Sequence, residues 1–348
     1  MQIAAYIREQ PPILAGLPAR IADELGRLKA LAEAPDRILL LGAGSSMNAL
    51  LAGAEALEEA TGASVLAREP EAFLRLPPRA AAGRTLVLAA SQSGMSMTSV
   101  EAVRQAVARG FPTLVITGDG ASMIAETGAD LLVLPIGKEA IGPKTKGYTA
   151  TVLAVFAVAA RLGGQKLDTS KLAPALEKTV ESGLAAAREL RARFGLPDYV
   201  LVAGQGPHLG TALEAGLKIA EISGVPTASF DTEEALHGHV YGTTQASLVI
   251  VIARTGAEAM AAARLGEALT ARGPRAAICN LSGHATRFDL AVDWPKAPAL
   301  DWIAASWAVI PFQWYACELA AARGVDPDKM IYPDLGAELG LRLKPVAS

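Results

Sequence analysis

The sequence predicts an α/β protein made of two tandem units, each a parallel β-sheet with helices on both faces. Short apolar runs that stop at glycine or small polar residues alternate with helical stretches, which is typical of parallel βαβ units. This alternation of strands and helices occurs twice along 348 residues, a length that suits two domains of ordinary size. Aromatic residues make up only 5% and alanine and glycine are abundant, so helices can lie close to a sheet.

The first predicted unit spans residues 1–168 and begins with a long helical pattern up to Pro35. Helical patterns also surround Ala49–Ala60 and Ser99–Arg109, and the uniformly apolar stretch Tyr148–Leu162 predicts a buried helix. Four apolar runs bounded by glycine or small polar residues predict its strands: Ile38–Leu41, Thr85–Ala90, Thr113–Thr117 and Leu131–Pro135.

A polar, glycine-rich segment, Gly163–Ser170, predicts the linker between the units. The second unit, residues 169–348, opens with a charged helical stretch over Leu172–Phe194. Strands and helices then alternate as in the first unit, over Tyr199–Ala203, Thr211–Ile222, Ser247–Ala253, Ala257–Arg272 and Ala276–Asn280. Each unit has a first strand that ends in a Gly-x-Gly turn, so the sequence indicates an internal duplication.

Ligands of open parallel sheets bind beyond the carboxyl ends of the strands, so the loops after the predicted strands are candidates for chemistry. After Leu41, the residues Gly44, Ser45 and Ser46 place small side chains and backbone N–H groups at the start of a helix. Both anion binding and simple turn formation fit this first loop.

The loop after Ala90 carries a stronger signal. Ser91, Gln92, Ser93 and Ser96 supply three hydroxyls and one amide, with a flexible glycine, before a predicted helix. Neutral donors at a helix N-terminus suit phosphate oxygens. Capping a helix needs one serine and this loop has three, which favours phosphate binding over capping alone.

Several classes of function are disfavoured by the sequence. Neither G-x-x-x-x-G-K-[ST] nor G-x-G-x-x-G occurs at its Gly-x-Gly turns, so nucleoside triphosphates and dinucleotides are not indicated and no cofactor is predicted. A net charge of −3 with scattered Lys and Arg argues against nucleic acid as a partner. Because no apolar run reaches the roughly 18 residues that cross a bilayer, we expect a cytoplasmic protein that does not enter membranes.

The motifs together resemble the SIS domain family of phosphosugar isomerases, in particular the isomerase half of glucosamine-6-phosphate synthase. The resemblance runs over nearly the whole chain as short matches in one order, among them Gly44-Ser45-Ser46, Ser91-Gln92-Ser93-Gly94, Glu139 with Thr145-Lys146, Leu217-Lys218, Glu221-Ile222-Ser223 and Glu234-Ala235-Leu236-His237-Gly238. It implies two tandem SIS domains, each a flavodoxin-like three-layer sandwich.

The resemblance also implies roles for single residues. Glu221 is the expected base that moves a proton between C1 and C2, and His237 is expected to act on the ring oxygen during ring opening. In the family this histidine reaches the site of the neighbouring subunit, so a homodimer is implied. The sugar phosphate and nearby hydroxyls are expected at Gly44, Ser45, Ser46, Ser91, Gln92, Ser93, Ser96 and Gly142.

The family's synthases also use a C-terminal lysine that forms an imine with the open-chain ketose. Lys344, in Lys344-Pro345-Val346, is the candidate for that catalytic role, and an exposed lysine in a frayed tail fits it equally well.

Residue chemistry gives partial independent support. Opening a ring and moving a proton alpha to a carbonyl or imine calls for one ring-opening acid/base and one carboxylate. Glu221 lies between Ala220 and Ile222, which predicts a desolvated carboxylate, although a solvent-facing helix glutamate fits the same pattern. The run Glu233–His239 concentrates titratable groups, and a metal site there is the weaker alternative because its two histidines lack a third ligand.

Three departures leave the exact substrate open: Met95 and Thr98 stand where acidic residues are frequent, and His239 stands where proline usually follows. The chain reaches the isomerase-like sequence without a glutaminase half, so release of ammonia is the expected direction. The leading expectation is conversion of glucosamine 6-phosphate, or a related amino-sugar phosphate, to the ketose 6-phosphate and ammonia. A fructosamine-6-phosphate deglycase is the enzymatic alternative, and a non-catalytic sugar-phosphate-binding regulator is the alternative from another class.

Overall fold

A computed structural model of the chain describes residues 1–78, 83–295 and 301–340. These residues form two compact units. The first unit comprises Pro12–Ala140 and Lys146–Lys171, together with the segment that starts at Tyr332. The second unit comprises Met1–Pro11, Ile141–Thr145 and Leu172–Ile331. The sequence-based domain ranges, 1–168 and 169–348, stay predictions.

The first unit is built on a five-stranded parallel sheet in the order β2-β1-β3-β4-β5. Its central strand β3 is buried along its whole length, as its unbroken apolar run predicts. The order 2-1-3-4-5 is that of flavodoxin-like sheets. The strands are β1 (Arg37–Leu41), β2 (Ser64–Arg68), β3 (Thr85–Ala90), β4 (Thr113–Thr117) and β5 (Asp130–Val133).

The chain begins with α1 (Gln2–Arg8), which belongs to the second unit. The helices that follow are α2 (Gln10–Arg27), α3 (Ser45–Ala52), α4 (Ala54–Thr61), α5 (Pro70–Arg75), α6 (Met97–Ala108) and α7 (Lys146–Leu162). Sequence periodicity predicts one helix where α3 and α4 are two, divided at Gly53. A Cβ on Gly53 would lie 2.3 Å from Val155 Cγ1, so glycine is needed where these helices approach the buried helix α7.

The second unit has a four-stranded parallel sheet in the order β7-β6-β8-β9. Its strands are β6 (Val200–Ala203), β7 (Thr227–Phe230), β8 (Leu248–Ala253) and β9 (Arg275–Asn280). Its helices include α8 (Ala173–Phe194), α9 (Pro207–Ser223), α10 (Thr232–Leu236), α11 (Gly256–Thr270) and α12 (Ile310–Arg323), and the later α13 (Leu335–Glu338) lies in the segment that belongs to the first unit.

The two sheets order their first four strands in the same way, which confirms the predicted architecture of two parallel α/β sheets. The strand-to-helix turns also match, because Gly44 (φ 56°, ψ −134°) precedes α3 and Gly206 (φ 57°, ψ −131°) precedes α9. Positive φ favours glycine at both positions. The predicted duplication therefore extends to the backbone of the loops.

Sequence patterns miss two strands, β2 and β7, which occupy the same edge position in the two sheets. Neither is buried along its length, so neither shows an apolar run. Within the described ranges, no helix combines the length and apolar character needed to cross a membrane.

Candidate functional site

The candidate binding site of the first unit lies at the carboxyl ends of β1 and β3. Strand order reverses between these neighbours, and ligands of open α/β sheets bind at such a point. Their register pairs Leu41 with Ala89, so the loops that follow the two strands lie side by side. The structure thus places together the residues predicted from both loops: Gly44, Ser45, Ser46, Ser91, Gln92, Ser93 and Ser96.

The backbone of the loop after β3 is held by neighbouring strands and by its own turn. The Ser91 N–H donates to Ile116 O at 3.0 Å, and the Gln92 carbonyl accepts from the Gly118 N–H at 2.9 Å. Gly94 has a φ of 62° and donates to Ser91 O at 3.0 Å. The loop is therefore fixed before any ligand arrives, which lowers the cost of binding.

Several side chains of these loops remain available for hydrogen bonding. The Ser46 and Ser91 hydroxyls and the Gln92 carboxamide make no hydrogen bond to any residue that the structure describes. Ser93 Oγ accepts weakly from the Met95 N–H at 3.4 Å. Ser96 occupies the N-cap of α6 without a capping hydrogen bond from its side chain, so the alternative of simple helix capping is wrong for this residue.

A buried carboxylate lies next to this loop. Glu139 is 4% exposed and accepts a hydrogen bond from the Gly147 N–H, in the first turn of α7, at 2.9 Å. A carboxylate at a helix N-terminus compensates both the unpaired N–H groups and the positive end of the helix dipole. The sequence motif that joined Glu139 to Lys146 therefore has a structural basis at the start of α7.

In the second unit, three charged residues align on one face of α9. Lys218 is buried between Glu214, whose Oε1 lies 3.4 Å from its Nζ, and Glu221, whose Oε2 accepts a hydrogen bond from it. Burial by itself would lower the pKa of Lys218, but the two carboxylates outweigh it and raise that pKa above its ordinary value. Lys218 is therefore a buried ammonium ion at neutral pH.

The expectation of a desolvated Glu221 is incomplete, because the residue is only partly buried. Its side chain is 24% exposed, and a buried ammonium lies against one carboxylate oxygen. The solvent-facing alternative is also incomplete, because the ion pair fixes the direction of the carboxylate. Sequence reasoning did not assign a role to Lys218, although its spacing of four from Glu214 and three from Glu221 was a signal for one shared helix face.

His237, at the end of α10, is 73% exposed, and its Nε2 lies 3.8 Å from Glu233 Oε1. No hydrogen bond or ion pair joins it to Glu221 in the part of the chain that the structure describes. The neighbouring His239 stacks on Phe230 with ring centroids 3.6 Å apart. Within the same described residues, no three His, Cys, Asp or Glu side chains form a group that could hold a metal ion.

Two other predicted residues lie elsewhere. Gly142 belongs to the second unit, and a Cβ there would lie 2.5 Å from Met330 Cγ, so its lack of a side chain allows a close contact with that methionine. Lys344 lies outside the described residues.

The corresponding strand-end loops of the second sheet carry a buried histidine and side chains that bond to their own backbone. His208 is buried in the first turn of α9. Burial is the main cause that lowers its pKa to about 4; the charge of Arg254 also lowers the pKa, and the charge of Glu258 raises it. Thr255 caps α11 by accepting from the Glu258 N–H at 3.2 Å. The Glu258 carboxylate in turn accepts from the Arg254 N–H at 2.8 Å.

Comparison with known proteins agrees with this architecture. The SIS domain family matches residues 30–161 and 198–323. The chain is 27% identical over 344 residues to the isomerizing glutamine–fructose-6-phosphate aminotransferase of Gloeobacter violaceus, across 93% of this chain and 56% of that protein. It thus spans little more than half the length of that relative.

Two solved structures share the fold. One is the C-terminal domain of glucosamine-fructose-6-phosphate aminotransferase from Francisella tularensis, with a TM-score of 0.78 and 20% identity over 94% of this chain and 98% of that one. The other is glucosamine-6-phosphate deaminase from Thermotoga maritima, with a TM-score of 0.78 and 21% identity over 95% and 98%. With more than half of its residues matched, the chain belongs to the SIS domain family and carries two SIS domains.

Proposed function

We propose that the protein is a phosphosugar isomerase/deaminase that converts glucosamine 6-phosphate, or a closely related amino-sugar phosphate, to the ketose 6-phosphate and ammonia. The observation that carries the proposal is the pair of strand-end loops whose Ser46, Ser91 and Gln92 side chains bond to no described residue. Neutral donors at helix N-termini suit a phosphate dianion. The name of the similar Thermotoga maritima protein, a glucosamine-6-phosphate deaminase, supports the choice of reaction.

Two residues, His237 and Glu221, carry the proton transfers of the proposed reaction. His237 transfers a proton to the ring oxygen, which opens the sugar and exposes the C1 aldehyde. Glu221, directed by its ion pair with Lys218, removes the proton from C2 and returns it to C1. The C2 amine loses one proton and the C1 oxygen gains one, so the C1 aldehyde becomes a hydroxymethyl group and the C2 amine becomes an imine. Water hydrolyses the imine, the C–N bond breaks, and ammonia leaves with the ketose 6-phosphate as co-product. No oxidant or reductant is required.

A substrate panel with a Glu221→Gln variant tests this proposal. We expect the parent protein to release ketose phosphate and ammonia from glucosamine 6-phosphate, and Glu221→Gln to lose about 10² to 10⁴-fold in turnover while affinity stays within several-fold. Glu177, an exposed glutamate on α8, provides the matched control, because Glu177→Gln should keep full turnover.

Three results would redirect the proposal. Release of an amino acid from a fructosamine 6-phosphate, without ammonia from glucosamine 6-phosphate, would make the protein a deglycase. Sugar-phosphate binding without any product would make it a regulator. Near-normal turnover of Glu221→Gln would remove this residue from the mechanism.

The proposal includes a cytoplasmic homodimer in which His237 completes the site of the neighbouring subunit. The exposure of this imidazole and its lack of any bond to Glu221 within one chain support that role. Mixing inactive Glu221→Gln and inactive His237→Ala proteins, with time for subunit exchange, should restore activity, because each heterodimer then contains one intact site. Isolated heterodimers that stay inactive would show that each chain holds a complete site.

A further inference from the structure

The Gln92 side chain lies in a slot between two glycines of the first unit. A Cβ on Gly118 would lie 2.5 Å from Gln92 Nε2, and a Cβ on Gly147 would lie 3.0 Å from Gln92 Cγ. Neither glycine is among the residues with positive φ, so the backbone would accept alanine at both positions. Space rather than backbone conformation is therefore the reason for these glycines: Gln92 occupies it beside Gly118, with its carbonyl oxygen 2.9 Å from such a Cβ, and Gln92 shares it with Glu139 beside Gly147.

Other contacts fix the same slot. Gly118 donates its N–H to the Gln92 carbonyl at 2.9 Å, so one residue holds both the backbone and the side chain of Gln92. Gly147 is anchored by its hydrogen bond to the buried Glu139 carboxylate, whose Oε2 would lie 2.6 Å from a Cβ on Gly147. Since the Gln92 side chain is only half-buried and bonds to no described residue, its position is set by shape while its amide stays available.

We propose that Gly118 and Gly147 are positioning residues that hold the Gln92 carboxamide ready for the phosphate of the sugar phosphate. This inference rests on the proposed function of the strand-end loops. A glutamine side chain loses rotamer freedom when it binds a ligand. A slot that has already removed this freedom makes the bound arrangement less costly.

Calorimetric titration of the full chain with glucosamine 6-phosphate tests the inference. Gly118→Ala and Gly147→Ala should each weaken binding roughly three- to tenfold, because the new methyl group displaces Gln92 from its slot. Gly120→Ala is the matched control in the same loop as Gly118. Its Cβ would meet only Val133, at 3.2 Å, so its affinity should stay within about twofold of the parent. Thermal melting identifies any variant that fails to fold, and the second glycine then decides the test.

A double-mutant cycle with Gln92→Ala separates positioning from a general structural effect. If the glycines act through the Gln92 side chain, Gly118→Ala or Gly147→Ala should weaken binding much less in the Gln92→Ala background than in the parent, with only the contacts to the Gln92 carbonyl and to Glu139 remaining. A full additional loss in that background overturns the inference. Binding by the parent with unchanged affinity in both glycine variants also overturns it. No binding by the parent overturns the proposed function, and this inference with it.

Discussion

In both sheets the first strand passes into its helix through a glycine of nearly the same conformation, Gly44 in the first unit and Gly206 in the second. Two residues further on, the first unit has Ser46, half-buried and with a hydroxyl that bonds to no described residue. The second unit has His208, which is buried. Both backbones therefore have the form that suits an anion at a helix N-terminus, but the side chain at this position is partly exposed in the first unit and buried in the second.

The loops after β3 and β8 differ in the same direction. Ser96 leaves α6 without a side-chain cap, whereas Thr255 caps α11 and the Glu258 carboxylate accepts from the Arg254 N–H. In the second unit a carboxylate of the chain itself takes the backbone donor that a ligand anion would need. The loops after β3 and β8 have thus diverged: the side chain of Ser96 gives α6 no capping hydrogen bond, whereas Thr255 and Glu258 bond to backbone N–H groups of their own loop. We propose that this difference leaves the first-unit loop to the ligand.

The largest effect that tests this difference between the two units is expected on the affinity for the sugar phosphate. Changing Ser91 and Ser93 together to alanine should weaken binding of glucosamine 6-phosphate by a few kcal/mol, because each hydrogen bond to a charged group contributes about 1.5 to 3 kcal/mol. Thr255→Ala in the second unit should leave that affinity unchanged. Calorimetry that finds equal losses in both units would show that the second loop also binds ligand.

Sequence patterns predict the buried strands of this fold better than the partly exposed strands β2 and β7. The apolar runs of β3, β4 and β8 predict those strands because each lies in the middle or interior of a sheet with both faces covered. The edge strands β2 and β7 are not predicted because their residues are exposed or only partly buried and so need no apolar pattern. The break between helices α3 and α4 at Gly53 is not predicted either, because it depends on a contact with Val155, which is distant in the sequence.

In the candidate site, too, features that depend on neighbouring residues are predictable and features that depend on distant residues are not. Strand-end loops are predictable because their polar residues directly follow recognisable strands, and the candidate phosphate loop at Ser91 follows β3 in this way. Burial of Lys218 is not predictable from one helix, because a 3.6-residue repeat shows which residues share a face but not what covers that face. The slot around Gln92 depends on Gly118 and Gly147, which lie on other elements and meet it only in the folded chain.

The pH dependence of stability tests the burial of His208 in the second unit, and the expected effect is smaller than the effect on ligand affinity. Its folded pKa of about 4 lies below the ordinary value of about 6.5, so folding favours the neutral imidazole. The stability that it contributes is complete above pH 6.5 and is lost as the pH falls toward 4. One shift of this size is worth on the order of 3 kcal/mol.

Urea unfolding at neutral pH and near pH 4.5 measures this dependence. The parent should lose more stability on acidification than His208→Gln, which cannot take up the proton. The exposed His284 provides the control, because His284→Gln should follow the parent. Equal acid sensitivity of all three proteins would mean that His208 is protonated as easily in the folded chain as in the unfolded one.

The smallest expected effect concerns the helix caps, and it tests the divergence of the two loops without any ligand. Thr255→Ala removes the hydrogen bond to the Glu258 N–H, and loss of an N-cap costs about 0.5 to 2 kcal/mol of stability. Ser96→Ala should cost only a few tenths, since Ser96 Oγ accepts a hydrogen bond from Ser99 rather than from the backbone of α6. Urea unfolding of the two variants under one condition compares them directly. Equal losses would mean that Ser96 caps α6 in solution, and the serines of the first unit would then serve the helix rather than a ligand.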